Sequence, residues 1–148
     1  MDYLRDERKV IYDPNIKLYT AKTVFITKIV MYNEHLRIDF TQYACREFMN
    51  GGWTCINKSI FVRPQGTTLK VPLVGAYHVP LAPRKHYFAS KDDKLYFTLM
   101  FPAISRDTKF IDIIEKENGD STNFNFYGVA LQQEEGILKR IQYSLTLN

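Results

Sequence analysis

The stretch from Leu95 to Leu131 limits the fold more than any other part of this chain. It opens with LYFTLMFP, continues through ISRDTKFIDIIE and closes with FNFYGVAL. Leu95, Phe97, Leu99 and Phe101 alternate with Tyr96, Thr98 and Met100. Period-two alternation sends each set to one face of a pleated strand. Pro102 ends that run, because proline donates nothing to a ladder and biases its predecessor toward an extended conformation. Ser105-Arg106-Asp107-Thr108 is polar turn material, and Phe110 to Ile114 has the apolar, β-branched make-up of a strand buried on at least one face. Asn118-Gly119-Asp120-Ser121 signals a second turn. Phe124 and Phe126 then take one side of a third strand, with Asn125 and Tyr127 on the other. A three-strand meander with an apolar face is expected, and such a face needs a second layer to cover it.

The rest of the chain repeats the theme. Thr23–Tyr32 and Leu36–Ala44 read as a hairpin, with Leu36, Ile38 and Phe40 facing one way. Ile16 and Leu18 fit a short strand after the Asp13-Pro14-Asn15 turn, and Ser59–Arg63 fits another. Pro72 confines Leu69–Val74 to a sheet edge. Gly75–Pro83 reads as a long loop tacked to the core by Val79 and Leu81, and Tyr87-Phe88 as the start of the strand that resumes after Lys91-Asp92-Asp93. About 8–10 short strands, with turns roughly every ten residues and no βαβ alternation, predict an all-β, antiparallel β-sandwich; a closed barrel is the alternative. Residues 1–14 read as a tail or edge strand, 15–131 as the sandwich, and 132–148 as a tail, linker or short helix. The expected core is Phe25, Ile38, Phe40, Phe61, Leu95, Phe97, Leu99, Phe101, Ile111, Ile113, Phe124 and Phe126.

Composition narrows the class. Ten Phe, ten Tyr and 45% hydrophobic residues are too many apolar groups for a disordered chain. No apolar run of transmembrane length occurs, and MDYLRDERKV has no apolar leader. The net charge of +4 is unevenly spread. Phe48 to Lys91 holds no acid but carries Lys58, Arg63, Lys70, Arg84, Lys85 and Lys91, whereas Asp112 to Glu135 holds six acids and one base. Two solvated faces of opposite sign, or complementary packing within one domain, account for this pattern. The sharper reading is a basic 58–91 surface for an anionic glycan or nucleic acid, the latter disfavoured.

Few residues suggest chemistry. Trp53, beside two glycines, with Tyr77 and Tyr87, fits an aromatic platform for a sugar or peptide; Trp53 packed over its own hairpin is the competing reading. Lys58, Arg63, Arg84 and Lys85 are the candidate cations beside it. Cys45 and Cys55 flank Asn50-Gly51, a strong tight-turn signal. If that turn closes a hairpin, the two thiols face each other, and a disulfide there is worth roughly 2–3 kcal/mol. Unrelated buried thiols are the alternative. His35, His78 and His86 have no metal-ligand spacing, and no nucleotide or serine-hydrolase motif occurs. No catalytic residue, metal ligand or cofactor is expected. Asp112 and Glu115 lie three apart on a strand, which sends them to opposite faces and makes them a poor acid–base pair.

One resemblance adds to these readings. Phe101-Pro102, a polar turn, a strand from Asp112 to Glu115, and Tyr127-Gly128-Val129 follow one another in order. The order resembles an immunoglobulin-like β-sandwich region of secreted proteins from gut anaerobic bacteria, where it often precedes a thioredoxin-like domain. The resemblance spans roughly residues 23–131. It implies an immunoglobulin-like sandwich, an extracytoplasmic location, and a non-enzymatic accessory or interaction role; a protein or carbohydrate partner is the expectation when the aromatic platform is added. No active site travels with it.

Overall fold

A computed structural model describes residues 8–132. Those residues form twelve strands: β1 (Lys9–Tyr12), β2 (Ile16–Tyr19), β3 (Val24–Met31), β4 (His35–Tyr43), β5 (Trp53–Thr54), β6 (Phe61–Pro64), β7 (Val71–Pro72), β8 (Gly75–Tyr77), β9 (His86–Tyr87), β10 (Lys94–Pro102), β11 (Phe110–Ile114) and β12 (Phe126–Ala130). Two five-stranded antiparallel sheets, ordered β1-β3-β4-β10-β8 and β2-β12-β11-β6-β7, make the sandwich, and β5-β9 forms a separate two-stranded ribbon. Several strands are only two or three residues long, which is why the count exceeds the eight to ten expected. No helix among the described residues is long and apolar enough to cross a membrane. The C-terminal segment expected as a tail or short helix lies, after Gln132, outside the described residues.

The core forms where the two inner faces meet. Leu36, Ile38 and Phe40 of β4 and Phe97, Leu99 and Phe101 of β10 are buried against Val62, Ile111, Ile113, Phe126 and Val129 of the second sheet. Phe40 stacks on its cross-strand neighbour Phe97 at 5.0 Å and meets Phe126 of the opposite sheet at 5.9 Å. The alternation in β10 therefore points inward as the sequence requires.

Four sequence expectations change. Phe25 is not core; it is about half exposed, while Val24 and Ile26 are buried. A bulge between Ile26 and Lys28 resets the alternation, so that Ile29 and Met31 carry the inward face beyond it. Reading back from Ile29 without the bulge puts Phe25 inside. The meander is also divided: β10 belongs to the first sheet, and the segment after Pro102 crosses to β11 in the second. Gly75–Tyr77 is an edge strand on β10 rather than loop, although Val79 is buried and Leu81 packs on the core as expected. Finally, His86–Tyr87 pairs with Trp53–Thr54 instead of opening β10.

The edges follow the sequence more closely. Pro72 sits in edge strand β7, and β1 is the outer strand of the first sheet. In β12 the register slips opposite Ile111 and Ile113, with Gly128 at φ +63°. The Gly128 N–H donates to Asp112 Oδ1 at 2.9 Å, a group the broken ladder would otherwise leave without a partner.

Candidate functional site: an aromatic hollow at one end of the sandwich

Several strand ends converge on one place. The start of β3, the end of β4, the 44–52 loop, β5, the approach to β10, Glu115 and the turn before β12 surround an open hollow of about 1960 Å³. Beside it the 44–52 loop closes on itself and touches the segment that leads into β10. Cys45 N–H bonds the Gly51 carbonyl at 2.8 Å, and the Ala44 N–H bonds the Asp93 carbonyl at 3.0 Å. Gly51 has φ +83°, and a Cβ there would lie 2.7 Å from that of Ala44. The Asn50-Gly51 signal thus marks a close approach of loops, not a hairpin.

That difference decides the cysteines. β4 pairs with β3 and β10, and β5 pairs with β9, so the hairpin that would set Cys45 opposite Cys55 does not form. Both are free thiols, and both line the hollow. Burial, reinforced by the Glu115 carboxylate, raises the Cys55 pKa, which keeps it a protonated thiol at neutral pH and a poor nucleophile.

Aromatic rings form the walls. Trp53 is 50% exposed, Tyr87 68%, Phe48 60%, Phe25 47% and Tyr43 48%. All five line the same hollow. Single exposed apolar residues are ordinary; here five aromatic side chains gather around one concavity. Trp53 and Tyr87 are direct cross-strand partners. Lys85 places its Nζ 4.3 Å from the Trp53 ring centroid, within cation–π range. Phe25 meets Tyr43 edge-on at 5.7 Å.

The other expected residues go elsewhere. Tyr77 is exposed on β8 opposite Thr98 and does not line the hollow. Arg63 of β6 pairs with Asp112 at 3.4 Å and Glu117 at 3.3 Å, and Lys70 approaches Glu117 at 3.9 Å. The basic and acidic halves of the sequence thus meet partly across the β6–β11 ladder, the complementary packing that was one of the two bland readings. Lys58 and Arg84 are exposed residues outside the named strands.

Three further polar residues are buried at this end. Glu115, 7% exposed, accepts from the Asn57 N–H and the Phe124 N–H, each at 3.0 Å. Asn125, fully buried, accepts from the Glu115 and Lys116 N–H groups at 2.8 and 3.2 Å and donates to the Lys116 carbonyl at 2.7 Å. These two side chains substitute for backbone partners at the strand ends, and neither has bonding capacity obviously reserved for a ligand.

Gln42 differs. It continues the inward row of Leu36, Ile38 and Phe40, opposite Val24 and Leu95. It lines the hollow and is 7% exposed, and its Oε1 has no hydrogen-bond partner. An orphaned buried acceptor costs about 1–3 kcal/mol. The available signal was a polar residue interrupting an otherwise apolar row.

Charge around the hollow is nearly balanced. Lys22, Arg46 and Lys91 are countered by Glu47, Asp92, Asp93 and Glu115, and Arg46 pairs with Asp92 at 3.0 Å. Asp93 holds the wall: it accepts from the Ala89 and Lys94 N–H groups at 2.8 Å each, which lowers its pKa. Among the described residues no three His, Cys, Asp or Glu side chains converge as metal ligands. Compared with family models, with curated proteins and with solved structures, the chain finds no match.

Proposed function

We propose that this chain is a non-enzymatic binding or accessory module that holds a carbohydrate or peptide partner in the end hollow. The observation that carries the reading is the ring of five half-exposed aromatic side chains, Phe25, Tyr43, Phe48, Trp53 and Tyr87, around one concavity. A concave, largely apolar site with a few polar groups is the usual form of a ligand pocket. The polar groups next to it favour binding over catalysis. Glu115 is committed to backbone N–H groups, Asp93 is committed to its loop, and the Cys55 thiol is held protonated.

An immunoglobulin-like type for the sandwich and an extracytoplasmic location belong to the same proposal. Both rest on the resemblance of the Phe101-Pro102, Asp112, Glu115 and Tyr127-Gly128-Val129 order. Asp112 and Gly128 bond each other in one bulge, which gives two of those positions a shared structural reason to recur.

The test uses Trp53 as the reporter, because it is the sole tryptophan. Oligosaccharide and peptide panels are screened against the wild-type chain and Trp53→Ala. Binding that shifts Trp53 emission and is lost in Trp53→Ala supports the hollow. Binding that Trp53→Ala leaves intact places the site elsewhere.

A further inference from the structure

We infer that the ligand of the hollow is a neutral glycan, and that Gln42 is the residue that reads it, accepting a hydrogen bond from a sugar hydroxyl. This rests on the hollow being the binding site.

The first argument is the unpaired acceptor. Gln42 lines the hollow, is 7% exposed and leaves Oε1 without a partner. A buried orphan acceptor at the end of an apolar row is a conflict between local chemistry and fold, and such conflicts concentrate at functional sites. Its complement is a hydrogen-bond donor. Gln42 lines the hollow with its Oε1 buried, and the terminal torsion of a glutamine is broad, so turning the amide toward the opening costs little. A hydroxyl projecting from a sugar ring on a single bond can be delivered to such an acceptor.

The second argument is the mixed lining. Trp53, Tyr87 and Phe48 supply aromatic rings, and Thr23 and Asn50 supply a hydroxyl and an amide. A pyranose has the matching character, with an apolar C–H face for stacking and a hydroxyl edge for hydrogen bonds. The third is charge. Lining Lys22, Arg46 and Lys91 stand against Glu47, Asp92, Asp93 and Glu115, with Lys85 beside them over Trp53, so the charges around the hollow nearly cancel and no strong field selects a charged ligand.

The experiment pairs wild type with Gln42→Met, which keeps volume and removes the acceptor. Ligand-free melting temperature is measured first. Binding is then measured on an array of neutral and charged glycans and on an extended-peptide library, with Trp53 emission titrated by the strongest binder. The expected result is a higher melting temperature for Gln42→Met and about tenfold weaker binding of a neutral oligosaccharide, the equivalent of one lost hydrogen bond. Equal binding by both proteins overturns the role of Gln42 and leaves the hollow as a site. So does a lower melting temperature or failure to fold in Gln42→Met, which would make Gln42 structural. Trp53-dependent binding of peptides or charged glycans alone overturns the neutral-glycan assignment while keeping the hollow. If nothing on either panel changes Trp53 emission, both readings fall.

Discussion

Asp112 and Gly128 face each other across the β11–β12 ladder, where the Gly128 N–H donates to Asp112 Oδ1 at 2.9 Å. The bond sits at the bulge that shifts the register between Ile111 and Ile113. Gly128 holds φ +63°, and a Cβ there would stand 2.8 Å from the Lys17 Cβ on neighbouring β2. One residue thus supplies the left-handed turn of the bulge and its neighbour across the ladder supplies the missing acceptor.

Gly128→Ala is accordingly expected to cost about 2–3 kcal/mol, from the unfavourable φ together with the clash against β2. Asp112→Ala is expected to cost about 1–2 kcal/mol through the orphaned N–H. Asp112→Asn keeps an acceptor but loses the charge that faces Arg63, and is expected to cost less. Urea denaturation of the three variants ranks them. Equal stability of Gly128→Ala and wild type contradicts the bulge geometry.

Phe97 and Phe25 separate the two faces of the first sheet. Phe97 is buried and stacked on Phe40, whereas Phe25 lies outside beside Tyr43. Phe97→Ala is expected to cost about 3–5 kcal/mol, and Phe25→Ala within about 1 kcal/mol. Comparable losses from both would return Phe25 to the core and remove the β3 bulge.

The sandwich was legible because alternation in β4 and β10 is undisturbed: Leu36, Ile38, Phe40, Phe97, Leu99 and Phe101 are all buried on the inner face. Phe25 was misread because a bulge at Thr27 changes parity without any glycine or proline to announce it. The three-strand meander was misread because a seven-residue polar-and-apolar segment after Pro102 can turn within a sheet or cross between two, and local pattern does not distinguish them. The hollow was half legible. Trp53 and Tyr87 stood out as aromatic, but their pairing depends on two short strands more than thirty residues apart. Glu115 and Asn125 were obscured because polar residues at strand ends look solvated until the backbone groups they serve are known. Gln42 stood in plain view as the polar residue that ends an apolar row.

Glu115 supports the floor of the hollow. Its carboxylate takes the N–H groups of Asn57 and Phe124 from two different segments. Glu115→Ala leaves both donors without a partner and is expected to cost about 3 kcal/mol. Glu115→Gln retains one acceptor oxygen and is expected to lose less. Hydrogen exchange at Asn57 and Phe124 checks the cause: both amides should lose protection in Glu115→Ala. Unchanged protection there contradicts the assigned role.

Asp93 gives the hollow wall a pH dependence. Hydrogen bonds from Ala89 and then Lys94 hold its carboxyl below the ordinary aspartate value. A carboxylate with a depressed folded pKa contributes stability that is complete above the unfolded value of about 3.9 and is lost as pH falls through the lower folded value. The amide shifts of Ala89 and Lys94 should therefore stay constant from neutral pH down to about 4 and move together below it. A shared midpoint above that value contradicts the assignment.

The most direct test of the binding role is amide and indole chemical-shift mapping with the strongest binder from the glycan and peptide panels. Shifts concentrated at the Trp53 indole N–H, Tyr87, Phe48 and the Gln42 side-chain amide are the predicted result. Shifts concentrated instead at Lys58, Arg63 and Arg84, with the Trp53 indole unmoved, would contradict it and move the site to the basic segment.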